Sequence, residues 1–144
     1  MTSGTWITII LGTLLLTLSA ASSPKVRAKF QCEVSYQARN HDGALAETKI
    51  ERVWKERYSR FTFDEGTGAF DWKQLDLRIN YDVVQFGSTV NSVMAVAKLQ
   101  GPASYSVKVL RIENWNPVRR SAVLLFPFVL LDEDTVMSGY CRYY

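Results

Sequence analysis

The chain has 144 residues, 47% of them hydrophobic and 22% charged, enough to bury one core and too few for two ordinary domains. With only 4 prolines and 8 glycines, a disordered, collagenous or low-complexity chain is excluded. Seventeen basic and fourteen acidic side chains leave a net charge of +3, short of the dense basic patch of nucleic-acid binders, so nucleic acid is not an expected partner.

Residues 6–18 (WITIILGTLLLTL) carry no charge, match a secretory hydrophobic region in length and are followed by Ser19, Ala20, Ala21, Ser22 and Ser23. Ser19 and Ala21 fit the peptidase requirement for small residues, which predicts a signal peptide over 1–21, cleaved after Ala21, and one exported domain over 22–144. An uncleaved membrane anchor is the rival, but the apolar stretch is shorter than the ~20 residues of an ordinary spanning helix. The expected location is therefore extracellular, with a membrane association only if this segment is retained.

An exported chain meets oxidising conditions, and its two cysteines, Cys32 and Cys141, allow one intramolecular pairing. Such a bridge requires the two Cα atoms within ~7 Å, so the first and last strands of the domain are predicted to be neighbours.

Val26 to Ala38 alternates, with Val26, Ala28, Phe30, Cys32, Val34, Tyr36 and Ala38 predicted on one buried face. Asn40-His41-Asp42-Gly43 then supplies a turn. Leu45 to Phe61 is ambiguous, because Ile50, Val53, Trp54, Tyr58 and Phe61 have helical spacing while residues 57–63 alternate like a strand; a short amphipathic helix over about 46–58 is expected before the strand. Phe61, Phe63, Phe70 and Trp72 flank Asp64-Glu65-Gly66-Thr67-Gly68, which reads as a hairpin whose glycines take positive φ.

Leu75, Leu77, Ile79 and Tyr81 alternate again, and Val90 to Leu99 and Tyr105 to Ile112 give two further strand-like runs around Gln100-Gly101-Pro102. Ala122 to Leu131 (AVLLFPFVLL) is ten apolar residues in succession, and because Pro127 cannot donate a ladder hydrogen bond, an edge strand, a bulged strand or two short strands are predicted there. Thr135 to Tyr144 alternates and carries Cys141. This cadence predicts a mainly β fold, a small antiparallel β-sandwich or barrel.

Catalytic and metal motifs are missing from the pattern. His41 is the one histidine and sits in a turn, and a zinc site would have to be built mostly from carboxylates, so neither a metal nor a cofactor is expected. Asp132-Glu133-Asp134 reads as a solvated turn, and Arg52, Lys55, Arg57 and Arg60 as a solvated face interleaved with glutamates. The aromatic content of 12% is high, and Trp72, Trp115, Tyr143 and Tyr144 at turns or ends, with Phe126 and Phe128 of the apolar run, form the expected contact surface. The reading that follows is an exported binding domain rather than an enzyme, with a protein or an apolar small molecule as its partner. Its rivals are a small secreted hydrolase using a carboxylate pair and a membrane-tethered assembly subunit whose N-terminal segment stays uncleaved as an anchor.

Overall fold

The computed structural model describes residues 26–48, 59–72, 74–101 and 105–144. The expected leader and most of the expected helix lie outside these residues. Among those described there is no helix, and the start of the expected helical segment is extended, with Ala46 and Glu47 in a strand.

The described residues form eleven strands: β1 (Lys29–His41), β2 (Ala44–Glu47), β3 (Arg60–Asp64), β4 (Ala69–Trp72), β5 (Leu77–Asn80), β6 (Asp82–Gln85), β7 (Val93–Gln100), β8 (Tyr105–Ile112), β9 (Val118–Arg120), β10 (Val123–Asp132) and β11 (Thr135–Tyr143). They make one antiparallel sheet in the order β5-β4-β3-β1-β11-β10-β8-β7-β6, with β2 added to β1 and β9 to β10. Every step along that path of nine strands is antiparallel, so its first and last members run in the same sense. Only Tyr81 separates them in the chain. Leu77 to Gln85 is therefore one extended run that changes partner halfway. The Tyr81 amide still bonds the Gly68 carbonyl beside β4 at 2.8 Å, whereas Asp82 already faces Val96 of β7. The sheet thus folds over on itself as a small sandwich-like layer pair whose hydrogen bonding is not closed.

The core lies between the two halves. Phe30, Phe61, Phe63, Phe70, Phe126 and Phe128 are among its largest fully buried side chains. Phe61 of β3 stacks on Phe70 at 4.5 Å between centroids and meets Phe128 of β10 edge-on at 5.1 Å, so one ring contacts both halves. Edge-on and offset pairs of this kind contribute about 0.5–1.5 kcal/mol each beyond their burial. Glu65, also buried, makes a polar tie across the same divide, accepting the Ala28 N–H at 3.1 Å through Oε2 and the Gly87 N–H at 2.6 Å through Oε1.

The hairpins follow their local chemistry. Asp42 and Gly43, with φ of 51° and 83°, form the two-residue loop between His41 and Ala44, and the Asn40 side chain accepts the Gly43 N–H. In the β3–β4 turn only Gly68 takes a positive φ, 72°, and a Cβ there would lie 1.9 Å from the Tyr81 carbonyl oxygen. Gly66 instead lies against Arg27 and Asp64, a correction to the expected use of both glycines.

Cys32 and Cys141 form a disulfide as directly opposed residues of β1 and β11, with Cα atoms 3.9 Å apart. Two expectations about these central strands are corrected. A bulge between Val34 and Tyr36 places one extra residue, Ser35, in β1, so the alternation changes phase: Tyr36 pairs with Ser138 and is exposed rather than joining Phe30, Cys32 and Val34 in the core. Gly139, opposite Val34, permits the close approach, since a Cβ there would stand 2.0 Å from the Glu33 carbonyl oxygen.

The second correction concerns β10, which is a single central strand paired with β11 on one side and β8 on the other. The Pro127 carbonyl accepts the Glu113 N–H at 2.8 Å. In a strand the N and the C=O of one residue point to the same side, so the missing Pro127 N–H falls just past the last β8 pair, Phe128 with Ile112. No ladder bond is lost there, because residues 113–117 leave the sheet before β9.

Candidate functional site

The outward face of β1 and β11 follows from the disulfide. With Cys32 opposite Cys141 and both turned inward, the flanking pairs Gln31 with Arg142 and Glu33 with Tyr140 must project from the other side. These residues line a cleft of about 1250 Å³ together with Arg60 of β3, Arg120 and Ser121 at the β9–β10 turn, Glu47 at the end of β2 and Thr48 after it.

Three arginines face two glutamates in this cleft. Arg60 lies 3.9 Å from Glu33, a loose pair with both side chains mostly in water. The other two are held by uncharged groups. Arg142 donates from Nε and Nη2 to the Gln31 side-chain oxygen, at 3.1 and 2.7 Å, which uses one edge of the guanidinium and leaves its end-on fork. Arg120 lies 4.7 Å from the centre of the Tyr140 ring and donates to the Tyr140 hydroxyl at 3.4 Å. Both cations are thereby oriented without being neutralised by a carboxylate among the described residues. A planar guanidinium in that state binds carboxylates through two parallel hydrogen bonds.

A second polar constellation stands on the loops after β6 and β8. Ser92 is buried, and its hydroxyl donates to Glu113 Oε2 at 3.2 Å while accepting from Trp115 Nε1 at 3.1 Å and Arg111 Nε at 3.4 Å. The Ser92 carbonyl accepts from the Gln85 amide at 2.8 Å. Glu113 also pairs with Arg111 Nη2 at 2.7 Å.

The residues of the expected contact surface separate into two groups. Trp72, Phe126 and Phe128 are core side chains, 4% exposed or less, because strand alternation turns them towards Phe61 and Phe30; they are withdrawn from any exposed surface. Trp115, Tyr143 and Tyr144 are 45%, 57% and 71% exposed. Tyr143 packs on Phe30 and Phe126 at one end of the core, apart from the Ser92 cluster in its contacts. Of the acidic run, Asp132 pairs with Lys108 and Asp134 with Arg39. His41 is exposed, 3.6 Å from Asp42. Among the described residues no group of three His, Cys, Asp or Glu side chains is placed to hold a metal ion, and no helix is long and apolar enough to cross a membrane.

Of the three cleft arginines the sequence reading names Arg60 alone, as part of a solvated basic face, and it singles out neither Arg120 nor Arg142. The signal that could have found them was the disulfide itself, which fixes the β1–β11 register and hence puts Gln31 beside Arg142. Comparison of the chain with protein-family models, with curated proteins and with solved structures gives no match.

Proposed function

We propose that the protein is an exported binding domain whose β1–β11 cleft takes an acidic peptide segment of a protein partner. The observation that carries this reading is the pair Arg120 and Arg142, each steered by a neutral side chain and each keeping its charge for a ligand. An open cleft of about 1250 Å³ exceeds the ~300–1,000 Å³ of ordinary small-molecule pockets and suits an extended segment. Export accords with the uncharged N-terminal stretch and with the disulfide.

Isothermal titration with short peptides of polyglutamate, polyglutamine and polylysine tests it. The expected result is binding of polyglutamate alone, weakening as salt rises and falling at least about tenfold in the double variant Arg120→Gln, Arg142→Gln, as the loss of two charge-assisted contacts implies. Equal affinity in the double variant, or no preference for polyglutamate, overturns the reading.

A further inference from the structure

We infer that Trp115 is the stacking platform of a second recognition site, one that takes a neutral, hydroxyl-rich pyranose ring. The argument begins at Ser92. A hydroxyl has one proton to give and two lone pairs to fill. Ser92 gives its proton to Glu113 and fills its lone pairs with Trp115 Nε1–H and Arg111 Nε–H. Three side chains therefore converge within 3.4 Å of one buried oxygen, and none of them is free to rotate without breaking that junction.

The loops beneath are locked in the same way. The Ser88 hydroxyl accepts the N–H groups of Val90 and Asn91, and the Ser88 N–H bonds back to the Asn91 carbonyl. The Asn114 amide lies against Gly87, where a Cβ would stand 2.2 Å from its Nδ2. The Asn116 N–H bonds the Glu113 carbonyl at 3.2 Å. Anchored at its N–H edge, Trp115 nonetheless remains 45% exposed. An exposed tryptophan held in one orientation loses little further entropy when a flat ligand covers it.

The groups beside the indole select the ligand. Glu113 Oε1 and Arg111 Nη2 lie 2.7 Å apart with side-chain exposures of 24% and 51%. The pair has no net charge, so unlike the β1–β11 cleft it offers an anion nothing. It does offer an acceptor and donors side by side, the complement of neighbouring hydroxyls on a sugar ring, while the C–H face of the same ring stacks on the indole. A purely apolar ligand would leave the Glu113–Arg111 pair covered and unsolvated, at a cost that a polyhydroxylated one avoids.

Affinity electrophoresis of the oxidised protein through gels containing soluble β-glucan, α-glucan, galactomannan or dextran sulfate tests the inference, with titration calorimetry of the matching hexasaccharides. Retardation by at least one neutral polysaccharide is expected, with affinity reduced roughly tenfold or more in Trp115→Ala and less in Trp115→Phe, which keeps a flat ring but loses the bond to Ser92. Thermal unfolding of each variant separates lost binding from lost folding, and His41→Gln, at the exposed β1–β2 hairpin and in neither site, serves as the control. No retardation by any neutral polysaccharide, retardation by dextran sulfate alone, or undiminished binding in a folded Trp115→Ala overturns it.

Discussion

Tyr81 sits where the extended run changes partner, and its buried hydroxyl finds no hydrogen-bond partner among the described residues. Burial, with the charge of Asp132 added, pushes its phenol well above the ordinary tyrosine range. A hydroxyl desolvated without compensation contributes nothing, so Tyr81→Phe is expected to leave stability unchanged or raise it by up to about 1 kcal/mol at pH 7. The sign of the pH effect follows from linkage. A folded-state pKa above the unfolded value of about 10 means that the unfolded chain releases this proton first, so stability falls as pH rises past about 10. Tyr81→Phe removes that component, and its advantage over the parent protein should widen above pH 10 in urea titrations; a difference that stays flat or narrows contradicts this account.

Asp64 behaves in the opposite sense. Desolvation acts to raise its pKa, but the Lys29 ammonium at 3.2 Å and the N–H groups of Gly66 and Thr67 outweigh it and hold the carboxyl below the usual range. A depressed folded-state pKa gives stability that is present above the unfolded value of about 3.9 and lost as pH falls through the folded one. Asp64→Asn should therefore cost about 0.5–1 kcal/mol at pH 7, and the gap between the two proteins should close below about pH 4. A cost that persists undiminished at low pH would place the effect in packing rather than charge.

At the scale of elements, the hairpins were legible because their turns are chemically local. Asp42-Gly43 supplies the two left-handed positions of a two-residue loop, and Phe61, Phe63, Phe70 and Trp72 bracket their turn on one buried face. The strand over 135–143 follows its alternation, whereas in 105–112 Tyr105 and Val107 stay exposed and Leu110 and Ile112 carry the buried face. What escaped the pattern depends on partners distant in sequence. The Ser35 bulge is invisible in a run that alternates on both sides of it, since only Gly139 across the ladder shows where an extra residue fits. Pro127 argued for an edge strand because its missing donor was counted without knowing which side it faced, and that side is set by Glu113, which ends the β8 ladder at the right place. The candidate surface divided on the same point. Phe126 and Phe128 belong to a strand covered on both flanks, whereas Trp115 stands on a loop and stays accessible.

For the molecule as a whole, Cys32–Cys141 joins the two strands at the middle of the sheet path, and the cleft lies on the opposite face of those same strands. The bridge closes a loop of 109 residues in sequence, which in the chain-entropy model removes enough unfolded-state freedom to be worth about 4.7 kcal/mol. Against the ~5–15 kcal/mol of a typical domain this is a large share. The β1–β11 ladder does not depend on it, however, because its backbone hydrogen bonds continue on both sides of the cysteines and Phe30, Val34 and Phe128 keep their burial. Cys32→Ala with Cys141→Ala is thus expected to give a folded protein, with strand content retained by circular dichroism, whose denaturation midpoint drops by an amount corresponding to about 2–5 kcal/mol. Reducing agent should reproduce the drop in the parent protein and do nothing to the double variant. An unchanged midpoint would mean that the ladder and the aromatic core suffice alone, and that the covalent tie contributes no net stability to the sheet it spans.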